Sequence, residues 1–529
     1  LVPIAAPDVG SNHAPIATVG NPMRADASPG RTTRRLLIVT FLLAIPGMAV
    51  VRPPGPGAWW PSPDLWWHLR TADWILEHLA LPTTDPFSAF GAGRPWAAYS
   101  WLFELLIHRL YDSWGLMGVM GYTLVATLAV GVALYVLVRG LVPNFAGSVA
   151  ITLAGIAALV PVVSPRPWLV TFLLFFLELH VLLTARRTGN MRLLWLLPPM
   201  FVLWANVHIQ FVYGLGLLGL ALLAVLLEPV VGRGGVDVER SPVSATRLFL
   251  VLVLCAAATL VGPYHVHLYR VIFEYVTQSG VFNAINELVA MQFRDPADWV
   301  VLALTLAAMF ALGRQRPLQL FPLLVLLAGV AFAFRARRDA WFLVGGTCVV
   351  LASSAAAWLP HDPFRITRFR ASVIAAGMAL LVGGIGYANG LSEARLTSYA
   401  AERYPIEAAA FVERHQLPGP LYNHFNWGGY LMWRLPQYPV SMDGRTNVHL
   451  PERVDRSLST WTGAPGWEAD PELANARLVV ASVNVPLTAL LRSDSRFEAI
   501  YEDDVAVVFV ATPSLRYPMA SGAEVDAED

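Results

Sequence analysis

The residues best suited to chemistry stand in the run PDLWWHLRTADWILEH, 63–78, within a long segment, 52–98, that follows the first membrane-length apolar stretch. Ser62 can cap a helix here, and Pro63 at its first position gives up no hydrogen bond it would otherwise make. Asp64, His68 and Thr71 then share one face at i, i+4, i+7 spacing, beside Trp66 and Trp67. Tryptophan favours the membrane–water boundary, so the spacing predicts a helix lying along that surface. It would hold a carboxylate and an imidazole toward water. A carboxylate so placed can act as a general base on a substrate carried by a lipid.

The elements that must position this helix are apolar. Of 529 residues, 56% are hydrophobic and only 14% charged, where a soluble domain carries about 25%. Mean hydropathy is +0.53, and the composition is that of an integral membrane protein. Net charge is zero and no long basic run occurs, which leaves nucleic-acid binding without support. The sequence contains no lysine, so every fixed positive charge is arginine. That is either codon bias in a chain rich in Ala, Gly, Pro and Arg or a preference for phosphate binding. Cys255 and Cys348 sit in apolar runs and report neither redox compartment nor metal. Residues 1–35 read as a disordered cytoplasmic tail with no secretory signal pattern.

Apolar segments of spanning or near-spanning length fall at 36–51, 115–138, 144–163, 166–185, 193–207, 211–230, 248–263, 298–313, 317–334, 340–358 and 371–388, about eleven spans in a membrane domain over 36–390. Arginine groups at 31–35, 139, 186–192, 233–247, 314–316 and 365–370 all fall on one side of an alternating path, and the positive-inside rule makes that side cytoplasmic. One cluster breaks the rule. Arg335, Arg337 and Arg338, in AFRARRDAW, land on the outer side. There they either pair with Asp339 and headgroups or bind a lipid-linked phosphate, which suits forked, permanently charged donors. The same face collects the loop 52–98, Arg166, Asn206 with His208, Tyr264, His265 and His267, and Glu287.

From 395 to 529 the composition becomes that of a soluble domain. YPIEAAAFVERHQL predicts an amphipathic helix. PLYNHF, YPVSMDGR, ARLVVAS, FEAIYED and VAVVFVA predict strands, with PLTALLRS a helix, which together make a small α/β layer outside the membrane. In NHFNWGGYLMWRL, Gly428 and Gly429 either open the backbone beside an aromatic surface of Trp427, Tyr430 and Trp433 or make a turn with a packed helix. Asp443-Gly444-Arg445 forms a turn after a strand, either an ion-paired corner or a site at a strand end.

These residues carry a resemblance. PDLWWHLRTADWIL resembles the first outer loop of the GT-C membrane glycosyltransferases and is similar to that of the oligosaccharyltransferase catalytic subunits. NWGGYLMW is similar to a degenerate form of their soluble-domain WWDYG motif. The wider set DLWWHL, LPTTDPFS, NVHIQF and NWGGYL looks like a group of uncharacterised bacterial GT-C-like proteins. The likeness spans most of the chain in topology but only short stretches in motif.

It implies a polytopic enzyme of the bacterial cytoplasmic membrane, with its site facing the periplasm or cell exterior. Such an enzyme would take a sugar from a polyprenyl phosphate or diphosphate and pass it to a glycan, lipid or protein. Asp64 would match the acidic residue that positions or deprotonates the acceptor and can hold a divalent metal (Mg or Mn), with Asp85, Glu287 or His265 as further ligands. Arg335, Arg337, Arg338 and Arg166 would hold the donor phosphate. His68, Trp67, Asn206, His208, Trp427, Tyr430, Asp443 and Arg445 would line the sugar or acceptor site. A single base acting directly implies inversion at the anomeric carbon. Two departures leave sequon recognition and metal dependence open: glycine stands where the motif has its acceptor-binding Asp, and no DxD stands in a second outer loop. The rival readings are a transporter or flippase, which predicts an inverted repeat and polar mid-membrane sites, and a non-catalytic relative.

Overall fold

The computed structural model describes residues 29–53, 60–277, 288–445 and 447–512. Helices α1 (Pro29–Val50), α2 (Asp64–His78), α3 (Trp101–Leu141), α4 (Phe145–Leu159), α5 (Trp168–Thr188), α6 (Leu197–Val207), α7 (Phe211–Arg233), α8 (Ala245–Ala258), α9 (His267–Thr277), α10 (Pro296–Arg314), α11 (Leu320–Arg335), α12 (Ala340–Trp358) and α13 (Arg368–Ala388) make a bundle. Among the described residues, eight helical segments are long and apolar enough to cross a membrane. Three shorter apolar segments, Met191–Val207, Ala245–Ala258 and Leu320–Arg335, occupy the other three expected positions. This is a multi-pass membrane protein. Because α1 begins at Pro29, residues 29–35 are helical rather than part of a disordered tail; residues 1–28 lie outside the described residues.

The two ends of the bundle differ in charge. At one end Arg35 pairs with Asp362, Arg186 with Glu228 at 2.5 Å, and Gln319 with Glu239 at 2.6 Å. The opposite end carries α2, Arg166, Arg335, Arg337 and Arg338. Gly115, with φ +59°, breaks α3 near that end, and the Glu393 carboxylate accepts from the freed amides of Leu116 and Met117 at 3.0 and 2.8 Å.

After α14 (Glu393–Ala401) and α15 (Ile406–Arg414) come β1 (Leu421–Asn423), α16 (Gly428–Arg434), α17 (Pro451–Trp461), α18 (Pro471–Ala474), β2 (Leu478–Ser482), α19 (Pro486–Ser493), β3 (Phe497–Glu502) and β4 (Ala506–Ala511). The sheet order is β1-β2-β4-β3, with β1 parallel to β2 and the other pairs antiparallel. Strand alternation sends Leu478, Val480, Val508 and Val510 into a core continuous with the bundle, and Val479, Ala481, Val507 and Phe509 into a second core under α17–α19. YPVSMDGR does not join the sheet. Its Val440 bridges to Ser88 of the first loop instead, with Ala89 N–H donating to Val440 O and Val440 N–H to Phe87 O.

Helix α2 does not lie on a lipid surface as its tryptophans predict. It is clamped between α3 and α16, and Trp66 packs edge-on against Tyr404 and Tyr430 at 5.3 and 5.0 Å. The aromatic pair is a seam joining the α/β layer to the bundle.

Candidate active site

Pro63 has helical dihedrals and no side chain caps the helix; Ser62 Oγ instead accepts from Arg166 Nε at 2.9 Å. The same guanidinium reaches Asp64 Oδ2 at 3.1 Å and stacks over Trp168 at 4.6 Å. Asp64 therefore stands in the first turn of α2, half-buried, with one oxygen on arginine. It opens on a cavity of about 700 Å³ that Arg166, Arg337, Arg338, Asp298 and the 424–426 turn also line. Asp64, Arg166, Arg337 and Arg338 line one cavity, while His265, expected there with Asp64, is not among its lining residues.

The arginines at this end of the bundle are held differently. Arg337 is held between Asp295 and Asp298, the latter at 3.1 Å. Arg338 faces the Asp64 cavity on one side and, with Arg335, a second cavity of about 440 Å³ on the other. That second cavity has Tyr99, His208, Gln210 and Tyr275 at its polar end and runs along α7 past Val212, Gly216 and Leu220. The eight residue steps from Val212 to Leu220 make a groove of roughly 12 Å. Asp339 is not simply Arg338's partner; it accepts from Tyr213 OH at 2.7 Å, with Arg338 Nε 3.9 Å away.

The α/β layer roofs the Asp64 cavity. Gly429 lets α16 approach α2 so closely that a Cβ there would lie 2.8 Å from Pro63 O. A Cβ on Gly444 would lie 2.8 Å from Asp64 Oδ1. The glycines of NWGGY and DGR are thus close-approach residues, and NWGGY is a packed helix. They bring His424, Phe425 and Asn426 over the cavity, residues that sequence reasoning passed over although they stand beside the motif. Burial lowers the His424 pKa to about 4, so the cavity receives a neutral imidazole. Asp298 is the other residue missed: its signal was an acid in the first turn of a span, near an unexplained arginine cluster.

Several expected site residues are engaged elsewhere. His68 is buried against Glu104, Nδ1 to Oε1 3.2 Å, and burial first, then Arg166 and His208, hold it well below its ordinary pKa. Thr71 hydroxyl donates to Trp67 O at 2.7 Å, and Trp67 is buried under Gly429. Asn206 accepts from Trp101 Nε1 at 3.0 Å and donates to Val202 O and Val261 O at 2.8 Å, a joint between helices. Trp427 is buried with Nε1 donating to Arg403 O at 2.8 Å, and Tyr430 lies in the Trp66 seam, so neither offers a ring to a sugar.

Asp443 and Arg445 form an ion-paired corner, 2.8 Å apart, closed by Asp85 at 2.7 Å and His449 at 3.3 Å. His265 is exposed and bonds its own turn, Nδ1 to Leu260 O at 2.9 Å. Glu287 lies outside the described residues. Among the described residues no three His, Cys, Asp or Glu side chains are grouped to hold a metal. The two described carboxylates at the cavity, Asp64 and Asp298, are each paired with arginine.

No family model matches this chain, and no curated protein matches it. Among solved structures it is similar to the apo oligosaccharyltransferase of Archaeoglobus fulgidus, with 12% identity, TM-score 0.49, and coverage of 85% of this chain and 69% of that one. It is similar to the arabinofuranosyltransferase AftD from mycobacteria, with 13% identity, TM-score 0.49, and coverage of 90% of this chain and 40% of that one. It is also similar to ArnT from Cupriavidus metallidurans bound to undecaprenyl phosphate, with 15% identity, TM-score 0.43, and coverage of 93% and 100%.

Proposed function

We propose that this protein transfers a sugar from a polyprenyl-phosphate-linked donor to a hydroxyl of a glycan, lipid or protein acceptor, on the extracytoplasmic face of a bacterial cytoplasmic membrane. One observation carries the reading: Arg338 stands between the cavity that holds Asp64 and a second cavity whose long wall is apolar. A lipid-linked phosphate needs that combination, a chain-accepting groove ending at guanidiniums next to a base. The arginine distribution supports the orientation, because the groups at 31–35, 139, 186–192, 233–247, 314–316 and 365–370 share the opposite end.

Asp64 takes the proton of the acceptor hydroxyl as its oxygen attacks the anomeric carbon, and the bond from that carbon to the phosphate oxygen breaks. The electron pair leaves on the polyprenyl phosphate, whose growing charge Arg338 and Arg335 stabilise. Attack from the face opposite the phosphate inverts the anomeric centre. Arg166 couples the two events. A phosphate reaching it competes with Asp64, and loosening that ion pair raises the basicity of the carboxylate when the donor is in place.

The test uses the full chain in nanodiscs with undecaprenyl phosphate carrying radiolabelled sugars. Release of undecaprenyl phosphate marks transfer and separates it from transport, which moves the donor intact. Asp64→Asn should lose about 10²-fold or more in that release while still binding donor. An Asp64→Asn protein that releases undecaprenyl phosphate at the unmodified rate would remove the base from this reading.

A further inference from the structure

The polar end of the second cavity holds an imidazole whose proton position follows from its neighbours. Trp204 Nε1 can only donate, and it donates to Thr171 Oγ1 at 2.9 Å. Thr171 is fully buried, and among the described residues its hydroxyl proton has one acceptor in reach, His208 Nδ1 at 2.9 Å. Leaving that proton unpaired would cost about 1–3 kcal/mol. The relay Trp204–Thr171–His208 therefore makes Nδ1 an acceptor and puts the ring proton on Nε2. Nε2 has no hydrogen-bond partner among the described residues, and His208 lines the cavity beside Arg335 and Arg338. Burial first, then Arg338 and Arg166, lower its pKa to about 3, so the ring is a neutral donor rather than a third cation.

A second polar side chain stands in the same place. Gln210, two residues on and 6% exposed, lines the cavity with Oε1 buried and unpartnered. A cavity that received only hydrocarbon would not be given an N–H held in one tautomer by a buried relay.

We infer that His208 Nε2–H is a direct donor to the phosphate of the polyprenyl carrier, between Arg335 and Arg338, and that Thr171 is a positioning residue that fixes its tautomer. This deepens the proposed function and rests on its donor site. A neutral donor adds a directed hydrogen bond without adding charge, so the phosphate is oriented while release after transfer is not opposed by one more cation.

Binding of undecaprenyl phosphate to the full chain in nanodiscs is the measurement, with undecaprenol and dioleoyl phosphatidic acid as separate probes. His208→Ala should weaken undecaprenyl phosphate about tenfold and leave undecaprenol unchanged. His208→Gln, which returns an N–H near the Nε2 position, should bind within about threefold of the unmodified protein. Thr171→Val should weaken binding several-fold, yet add nothing to His208→Ala, because it acts through that ring.

Full affinity in His208→Ala, or additive losses in the double variant, would overturn the inference. An equal loss for phosphatidic acid would overturn it as well, by making the site one for any lipid phosphate. Arg338→Ala separates the two levels. If it weakens binding and His208→Ala does not, only the inference fails; if Arg338→Ala binds normally, the donor site itself fails.

Discussion

Two aspartate–arginine pairs flank the seam between bundle and α/β layer, and they do opposite things. Asp64 and Arg166 meet at 3.1 Å beside an open cavity, with side chains 21% and 16% exposed. Asp443 and Arg445 meet at 2.8 Å with 0% and 1% exposed, and their polar partners among the described residues are themselves buried. Arg445 also takes Asp85 and sits over Phe87 and Trp96, while His449 hands the network on to Arg453 and Glu472. A pair that can be parted by a ligand can do chemistry; one with no room for a ligand ties the first loop to the C-terminal layer. Residue type is the same in both, and accommodation decides the role.

The comparison breaks first on stability. Asp443→Ala leaves Arg445 buried with a single carboxylate and should cost about 3–5 kcal/mol, seen as a large fall in thermal midpoint or loss of folded yield. Asp64→Ala should cost under about 1 kcal/mol, because its pair is partly exposed. Similar midpoints for the two variants would mean the pairs are not different in kind.

Close approach sharpens the same contrast with smaller effects. Gly428→Ala would place a Cβ 1.9 Å from the backbone oxygen of Met442, which cannot yield cheaply, so about 1–3 kcal/mol of stability should go. Gly444→Ala instead meets the Asp64 carboxylate, a movable side-chain end, so stability should fall less than in Gly428→Ala. Undecaprenyl phosphate release should drop about tenfold as the carboxylate is displaced. Gly444→Ala with unchanged release would separate Asp64 geometry from turnover.

Much of this was legible in the chain, for identifiable reasons. Apolar length marked the positions of the spans, and short runs rich in Val, Ile, Tyr and Phe marked β2, β3 and β4. A positive cluster on the wrong side marked Arg338 as a residue with a partner to find. What periodicity cannot say is what covers a face. The i, i+4 spacing of Asp64 and His68 was right for one helix side, but α3 brought Glu104 against His68 and turned it inward. Trp66 and Trp67 read as lipid-facing because tryptophan suits both an interface and a core, and only α16, more than 350 residues on, decides. The Asp85–Arg445 bond spans 360 positions, and nothing local in DPFS or DGR announces the other. Nothing local distinguishes His424 and Asn426, which line the cavity, from the aromatics of NWGGY, which the seam buries.

The smallest expected effect uses pH to read cavity and network separately. His424 faces the Asp64 cavity and is neutral when folded, its pKa lowered by burial to about 4, against about 6.5 when unfolded. Between those values the unfolded chain binds the extra proton, so stability falls as pH drops through that window. At pH 5.5 the His424 share is on the order of 1 kcal/mol, and His424→Gln should recover it. His68 and His208, also held neutral, carry their own shares and keep some slope in that variant.

Asp443 responds at a different place. Burial alone would raise its pKa, but Arg445 and His449 outweigh it and hold the carboxyl well below the usual range. Its contribution is complete above about pH 4, the unfolded value, and is lost only as pH falls toward the lower folded one. Thermal midpoints of the full chain in nanodiscs, taken from pH 7.5 to 3, should therefore decline in two stages, the upper one reduced in His424→Gln. A midpoint flat from pH 7.5 to 4.5, or an upper stage untouched by His424→Gln, would show that the cavity roof is not held by a neutral imidazole.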